Sequence, residues 1–245
     1  MRGAVTRLEV SRLNRTDQGE TVLQDISFRV CEGESTVILG DSYSCKNALL
    51  RVLAGRYIGC GEEVVFYNRQ GSRYRPVRTY CPAGEAVSSN LTVREHLLLG
   101  CDMAGLNRTT AALCADRMID RFGLTNEKDL AVKRLDREER RLISVLTALA
   151  PMPDMAFLEE PTDGLSDGAI MKLWEHLILI REKTLIVLTS RYVQDAEKLG
   201  GQILFAAGPE IVMRGTAREI LASTGARDLT EAYMAGLGRN KGTTR

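Results

Sequence analysis

Hydrophobic and polar positions change period three times along the chain. In residues 22–30, Ile26, Phe28 and Val30 alternate with Ser27 and Arg29, the two-residue period of a half-buried strand. Residues 8–13 give a second strand, and the polar stretch 14–21 between them reads as a hairpin. Residues 36–39 are an unbroken apolar run, a buried strand. A helix follows, with Leu49, Leu50, Val52 and Leu53 clustered at 3.6-residue spacing. Strands are predicted at 64–67 and 78–82, with loops at 55–61 and 71–76. From 92 to 134 the period is helical. Thr92 and Glu95 have capping-box spacing, and the apolar positions continue at Leu97, Leu98, Cys101 and Met103. A second helix over 110–122 puts Leu113, Cys114, Met118, Ile119 and Phe122 on one side, and a third spans 136–149. Strand signals return at 155–158 and 184–189, followed by helices at 167–180 and 192–199 respectively. A strand pair, 203–205 and 211–213, flanks Gly208-Pro209. Short helices cover 216–223 and 229–237, and 240–245 reads as a disordered tail.

The turn between strand 36–39 and its helix carries chemistry. Gly40-Asp41-Ser42-Tyr43-Ser44-Cys45-Lys46-Asn47 has the length of the phosphate-binding loop G-x-x-x-x-G-K-[ST]. In such a loop backbone N–H groups and a helix N-terminus surround phosphate oxygens. Gly40 and Lys46 stand in their places. Cys45 replaces the second glycine, Asn47 replaces the Mg²⁺-binding hydroxyl, and Tyr43 stands where a further glycine is usual. Lys46 is read as a phosphate contact. Cys45 is read as a small substitute rather than a stabilised thiolate, and Tyr43 as filling the emptied phosphate space.

Composition narrows the picture. A chain of 245 residues, 44% hydrophobic and 27% charged, can bury the core of one large α/β domain or of a core with an inserted subdomain. A net charge of +1 gives no bulk field for nucleic acid, so no nucleic-acid partner is expected. The six cysteines, at 31, 45, 60, 81, 101 and 114, form no C-x-x-C pair. That argues against a zinc site or disulfide framework and for reduced thiols. No signal peptide is expected at Met1-Arg2-Gly3. No apolar run approaches the ~20 residues that span a bilayer, so a membrane role comes through a partner.

Four further stretches carry a resemblance. Residues 157–167, Phe-Leu-Glu-Glu-Pro-Thr-Asp-Gly-Leu-Ser-Asp, join an apolar strand to an acidic pair and Glu-Pro-Thr. Asn90-Leu91-Thr92-Val93-Arg94-Glu95-His96-Leu97 opens the helical block, Gly215-Thr216 leads to Leu221 after the last hairpin, and Asp228-Leu229-Thr230-Glu231-Ala232-Tyr233 closes the chain. In this order, over about residues 7–237, the chain resembles the ATP-binding domain of ABC transporters, of multidrug-, lipid- or haem-exporter type. The resemblance implies a P-loop NTPase α/β core with an N-terminal antiparallel β subdomain and an inserted helical subdomain. The core would be 1–83 and 135–223, the helical subdomain 84–134, and a short C-terminal helix and tail 224–245. It implies ATP and Mg²⁺ as cofactors, with Gly40, Tyr43, Cys45, Lys46, Asn47, Ala48, Ala83 and Asp136 at nucleotide-contact positions. Asn47 and Glu159 fall at metal positions, Glu160 at the carboxylate that polarises the attacking water, and Ser190 at the switch histidine. Glu159 replaces the usual aspartate and is one methylene longer. Asn47 offers an amide oxygen to a hard cation. Glu160 is either that reactive carboxylate or simply a strand-end one.

Several departures weaken the site. Ala83 replaces the Q-loop glutamine, Ser190 cannot act as an imidazole, and Asp17 falls near the aromatic that would stack on adenine. Leu135-Asp136-Arg137-Glu138-Glu139 stands where the signature Leu-Ser-Gly-Gly-Gln belongs. In this family two domains sandwich ATP between the phosphate loop of one and the signature of the other. A carboxylate ~4 Å from a phosphate charge costs about 4 kcal/mol at an effective dielectric near 20. Arg137 and Arg140 offset part of this, while each lost charge-assisted donor removes roughly 1.5–3 kcal/mol more. The expectation is an ATP-binding-type subunit with a degenerate site. It would be a structural or regulatory partner of a different ATP-binding chain and of a transmembrane permease subunit, at the cytoplasmic face of a membrane. Residues 84–134 would form the groove for a helix of that permease. The alternatives are a working ATPase that energises export and a soluble regulatory pseudo-ATPase outside transport. His96, His176 and the charge run 137–141 are expected on solvated helix faces, and Trp174 in the core.

Overall fold

The computed structural model describes residues 5–56 and 63–240. Cys60, most of the loop expected at 55–61, and the tail beyond 240 lie outside the described residues. In chain order the elements begin with β1 (Val5–Asp17), β2 (Glu20–Cys31), β3 (Ser35–Leu39), α1 (Lys46–Leu53), β4 (Val64–Asn68) and β5 (Arg78–Cys81). The helical block is α2 (Val93–Met103), α3 (Arg108–Phe122) and α4 (Arg137–Leu149). There follow β6 (Met155–Glu159), α5 (Asp167–Ile180), β7 (Leu185–Ser190), α6 (Val193–Leu199), β8 (Gln202–Ala207), β9 (Glu210–Gly215), α7 (Ala217–Thr224) and α8 (Leu229–Asn240).

Two sheets form. One is antiparallel, in the order β2-β1-β4. The other has the order β5-β6-β7-β3-β8-β9, parallel through β8 with β9 antiparallel at its edge. The expected long hairpin at 14–21 is corrected: both strands run on, and only Gln18-Gly19 turns. Their φ values of 48° and 88° are the two positive values that a two-residue hairpin matching strand twist requires. Residues 14–17 are polar because this end of the pair faces solvent.

The apolar runs of β3, β6, β7 and β8 are unbroken because both faces of the large sheet are covered. Val37, Leu158, Leu188 and Phe205 pack into one cluster with side chains from α2 to α8. Ile38, Phe157, Val187 and Leu204 pack into the other with α1 and the antiparallel sheet. Each such side chain contributes about 1.5–3 kcal/mol by leaving water.

The helical block differs in detail from its sequence pattern. The Thr92–Glu95 capping box forms, but Met103 is 81% and Leu113 55% exposed. The buried face of α3 is instead Ala111, Ala115, Met118, Ile119 and Phe122. Gly100 lets α2 lie against α4: a Cβ there would come within 2.9 Å of Thr147 Cγ2 and still closer to the Thr147 carbonyl. His96 and His176 are both buried, contrary to the solvated placement. His96 Nε2 accepts from the Ser88 N–H at 2.7 Å, and His176 sits edge-on to Phe122 with ring centroids 5.6 Å apart. Trp174 is half-buried rather than fully in the core.

Candidate nucleotide site

Parallel registry gathers residues that are far apart in sequence. Leu39 lies opposite Ser190, Glu159 opposite Thr189, and Cys81 opposite Leu158. The chain leaving β3, β5, β6 and β7 therefore delivers Gly40–Lys46, Ala83, Glu160 and Ser190 to one edge. This is the carboxyl end of the strands, where open parallel sheets place ligands.

The loop itself is closed by internal bonds. Gly40 N–H donates to the Ser190 carbonyl at 3.2 Å, and Cys45 N–H to the Gly208 carbonyl at 2.7 Å. Tyr43 N–H donates to Asp41 Oδ1 at 2.9 Å, and Ser44 Oγ to the Asp41 carbonyl at 2.8 Å. The Tyr43 side chain is 93% exposed, so it does not fill the phosphate space. Aspartate-anchored turning points it to water. Cys45 is buried, and burial pushes its thiol up to about 12, so it is no thiolate at neutral pH. Ala48, in the first turn of α1, packs against the cluster between that helix and the antiparallel sheet.

Lys46 opens α1 and is only 1% exposed. Its ammonium is ion-paired with Glu160 Oε1. The other Glu160 oxygen accepts from Arg191 N–H at 3.0 Å. Glu160 holds a φ of 45°, a left-handed conformation that costs a non-glycine residue on the order of 1–3 kcal/mol. Its N–H donates to the Thr189 carbonyl at 3.0 Å, and its carbonyl accepts from Asp163 N–H at 3.0 Å and from Arg141 Nη2 at 2.9 Å. One ion pair thus joins the lysine and the carboxylate that the resemblance assigns to phosphate and to water.

Glu159, fully buried, is occupied on both oxygens. Oε1 accepts from Arg51 Nε at 2.7 Å and Tyr80 OH at 2.7 Å. Oε2 accepts from Arg51 Nη2 at 3.1 Å and Ala83 N–H at 3.1 Å. Burial raises its carboxyl, but these donors outweigh burial and hold it below the usual carboxylate range. The bond to Glu159 raises the Arg51 guanidinium in turn. Burial, with Glu159 beside it, pushes the Tyr80 hydroxyl up to about 12. Asn47 Oδ1 is buried with no hydrogen-bond partner among the described residues. Mg²⁺ takes near-octahedral oxygen ligation, usually with one or two carboxylates beside phosphates and water. Here the Glu159 and Glu160 carboxylates are taken by Arg51 and Lys46, Ala83 has no side-chain oxygen, and of these candidates only Asn47 has an unpartnered oxygen among the described residues. The residues as folded do not fit the ion.

Ser190 Oγ donates to Asp195 Oδ2 at 2.5 Å. Asp195 is buried and also accepts from Thr162 Oγ1 at 2.8 Å and Trp174 Nε1 at 2.7 Å. The hydroxyl at the switch position is committed to this carboxylate.

The signature stretch is likewise bonded to its own chain. Asp136 caps α4, accepting from Glu139 N–H at 2.8 Å, while Glu139 Oε2 accepts from Asp136 N–H at 2.9 Å. Glu138 Oε1 accepts from Ser166 Oγ at 2.5 Å and N–H at 3.0 Å. Arg140 pairs with Glu85 at 2.6 Å. Arg141 corrects the reading of 137–141 as one solvated face: it is 3% exposed. Its guanidinium donates to the carbonyls of Pro82, Gly84, Glu159 and Glu160 at 2.6–2.9 Å. Among the described residues Asp136 has no hydrogen bond to Lys46 or Glu160, and Asp17 is exposed at the end of β1.

Arg51, Tyr80, Arg141 and Asp195 were absent from the sequence-derived site. For Arg141 a signal existed, since it stands four and eight residues before Val145 and Leu149 on the buried stripe of α4. The partners of the other three depend on strand order.

The ABC transporter family model matches residues 23–163. The Nod factor export ATP-binding protein I of Burkholderia thailandensis is 28% identical over 94% of this chain and 77% of its own length. The daunorubicin resistance ATP-binding protein DrrA3 of Streptomyces coeruleorubidus is 27% identical over 91% of this chain and 72% of its own. Among solved structures, the ATP-binding subunit of an ABC transporter superposes with a TM-score of 0.83 at 22% identity, covering 94% of this chain and 99% of that one. A nucleotide-free ATP-binding cassette gives 0.75 at 17% identity, covering 94% and 98%.

Proposed function

Since the chain belongs to the ABC transporter family, as an ATP-binding subunit of exporter type, we propose that it serves its complex without hydrolysing ATP. The observation that carries this is the Lys46–Glu160 pair. Lys46 offers a phosphate an ammonium already neutralised by a buried carboxylate, and Glu160 offers water a carboxylate already neutralised by that ammonium. Full use of either group weakens the pair, and separating a buried pair costs several kcal/mol.

The signature stretch supports the same reading from the other side of a sandwich. The first turn of α4 carries Glu138 and Glu139 and closes on its own cap. It would present carboxylates to a phosphate bound on a partner chain. A homodimer would hold two such sites, so the second ATP-binding subunit is a different chain and supplies the turnover. Among the described residues no helix is long and apolar enough to cross a membrane. Attachment to the cytoplasmic face would come through a permease subunit, docked in the groove formed by a helical subdomain at 84–134. In this division 1–83 and 135–223 form the core, and 224–245 the C-terminal helix and tail.

A working ATPase has one observation in its favour, the free Asn47 Oδ1. Turnover by the purified chain, alone and with its partner subunits, separates the two. The proposal expects no hydrolysis that Glu160→Gln removes. Hydrolysis by this chain that Glu160→Gln abolishes would overturn it.

A further inference from the structure

We infer that Arg51 is the resident cation of this nucleotide site, so that the chain takes a nucleotide without a divalent ion. The inference rests on the non-hydrolysing reading above and on the family's nucleotide binding, and goes beyond them by assigning the metal's place.

A carboxylate has about four lone-pair directions on its two oxygens. Glu159 uses all four, on Arg51 Nε, Arg51 Nη2, Tyr80 OH and Ala83 N–H. The donors come from three segments: α1 carries Arg51, β5 carries Tyr80, and the segment after β5 carries Ala83. Glu159 itself ends β6. The arrangement depends on a glutamate. An aspartate is shorter by one C–C bond, about 1.5 Å, and could not hold the Arg51 fork and Tyr80 from the same backbone position. Ala83 completes it, since its N–H donates to Glu159 and its methyl side chain has no polar atom to compete. Charge agrees with geometry. Arg51 neutralises Glu159 and Lys46 neutralises Glu160, so no net carboxylate charge remains to draw in a dication. Arg51 is the more exposed member, with 44% of its side chain open to water, and it shields a carboxylate that is not exposed at all.

The test is equilibrium dialysis of radiolabelled ATP against the purified full chain, in 5 mM Mg²⁺ and in EDTA. The expected result is equal dissociation constants, within twofold. In Glu159→Asp, which releases Arg51, and in Arg51→Gln, which removes the cation, Mg²⁺ should tighten binding at least tenfold over EDTA. Two variants guard against one failing to fold, and the wild-type comparison needs neither. Wild-type binding tightened tenfold or more by Mg²⁺ would overturn the inference. So would folded variants that stay indifferent to the ion, or no binding in either buffer up to millimolar ATP. None of these outcomes touches the non-hydrolysing reading, which Glu160-dependent turnover tests.

Discussion

Glu160→Gln should destabilise the fold much more than an exposed carboxylate substitution would. Glutamine has the same shape, and its oxygen can keep the bond from Arg191 N–H. What it loses is the charge beside Lys46. The two side chains are 2% and 7% exposed, so water cannot replace the carboxylate without opening the site. Removing one member of a buried pair leaves the other uncompensated, at about 3–5 kcal/mol. For a chain of this size, 1 kcal/mol moves the midpoint of thermal unfolding by roughly 2–4 °C, so the expected fall is roughly 6–20 °C. Lys46→Met, which keeps the aliphatic stem, should cost less. It leaves Glu160 with Arg191 N–H and with the Arg191 guanidinium at 3.8 Å, which is partly open to water.

The assay is urea unfolding of both single variants and the double variant, with far-ultraviolet dichroism as the probe. A double variant no worse than Glu160→Gln would give a coupling on the order of 2 kcal/mol or more, against the near-additivity of independent sites. Raising salt from 0.1 to 1 M should leave that coupling nearly unchanged, because a buried pair is poorly screened. A loss below ~0.5 kcal/mol, the scale of surface pairs, would refute the reasoning. Lys46 would then be solvated and free for phosphate, and the case for a self-neutralised site would fall.

Arg141→Lys should cost roughly 3 kcal/mol or more in the same unfolding assay, because an ammonium cannot satisfy the four carbonyls that the guanidinium ties together. Gly100→Val should destabilise by ~1–3 kcal/mol, since its side chain would press on Thr147 across the α2–α4 contact. His176 is 6% exposed with both ring nitrogens unpartnered among the described residues. Burial, with Arg121 adding to it, lowers it from 6.5 to about 4. The unfolded chain therefore binds more protons between pH 6.5 and 4. This stability is fully present above pH 6.5 and falls by roughly 3 kcal/mol as pH drops to 4. His176→Leu should flatten that part of the stability–pH curve, and an unchanged slope would show the imidazole to be solvated.

What the sequence pattern could tell follows from how local each feature is. Buried strands such as 36–39 and 155–158 are legible because a covered sheet demands an apolar run, and that demand is local. The Thr92–Glu95 cap is legible for the same reason. The Gln18-Gly19 turn was hidden, because β1 and β2 continue as polar residues where their pair faces water. Burial within α3 was misjudged by size: Leu113 looks like core, yet Ala111 and Ala115 occupy the packed stripe. At the site, Lys46 could be picked out by its spacing from Gly40, and Glu159 and Glu160 by the family resemblance, but their chemical state could not. Whether Lys46 meets phosphate or carboxylate depends on β3 lying one strand away from β6, with β7 between them. Whether Glu159 faces a metal or Arg51 depends on β5 flanking β6 and bringing Tyr80 and Ala83 alongside. The substitutions read singly as losses are, in the fold, mutually consistent. The longer Glu159 reaches Arg51, Ala83 lends its N–H, Ser190 satisfies Asp195, and Glu139 closes the helix that Asp136 caps. A buried charge left unpaired is costly. Here each ionised buried group of the site has a partner, so the self-neutralised arrangement is itself a stable packing solution. Restoring any one family residue alone should therefore cost stability.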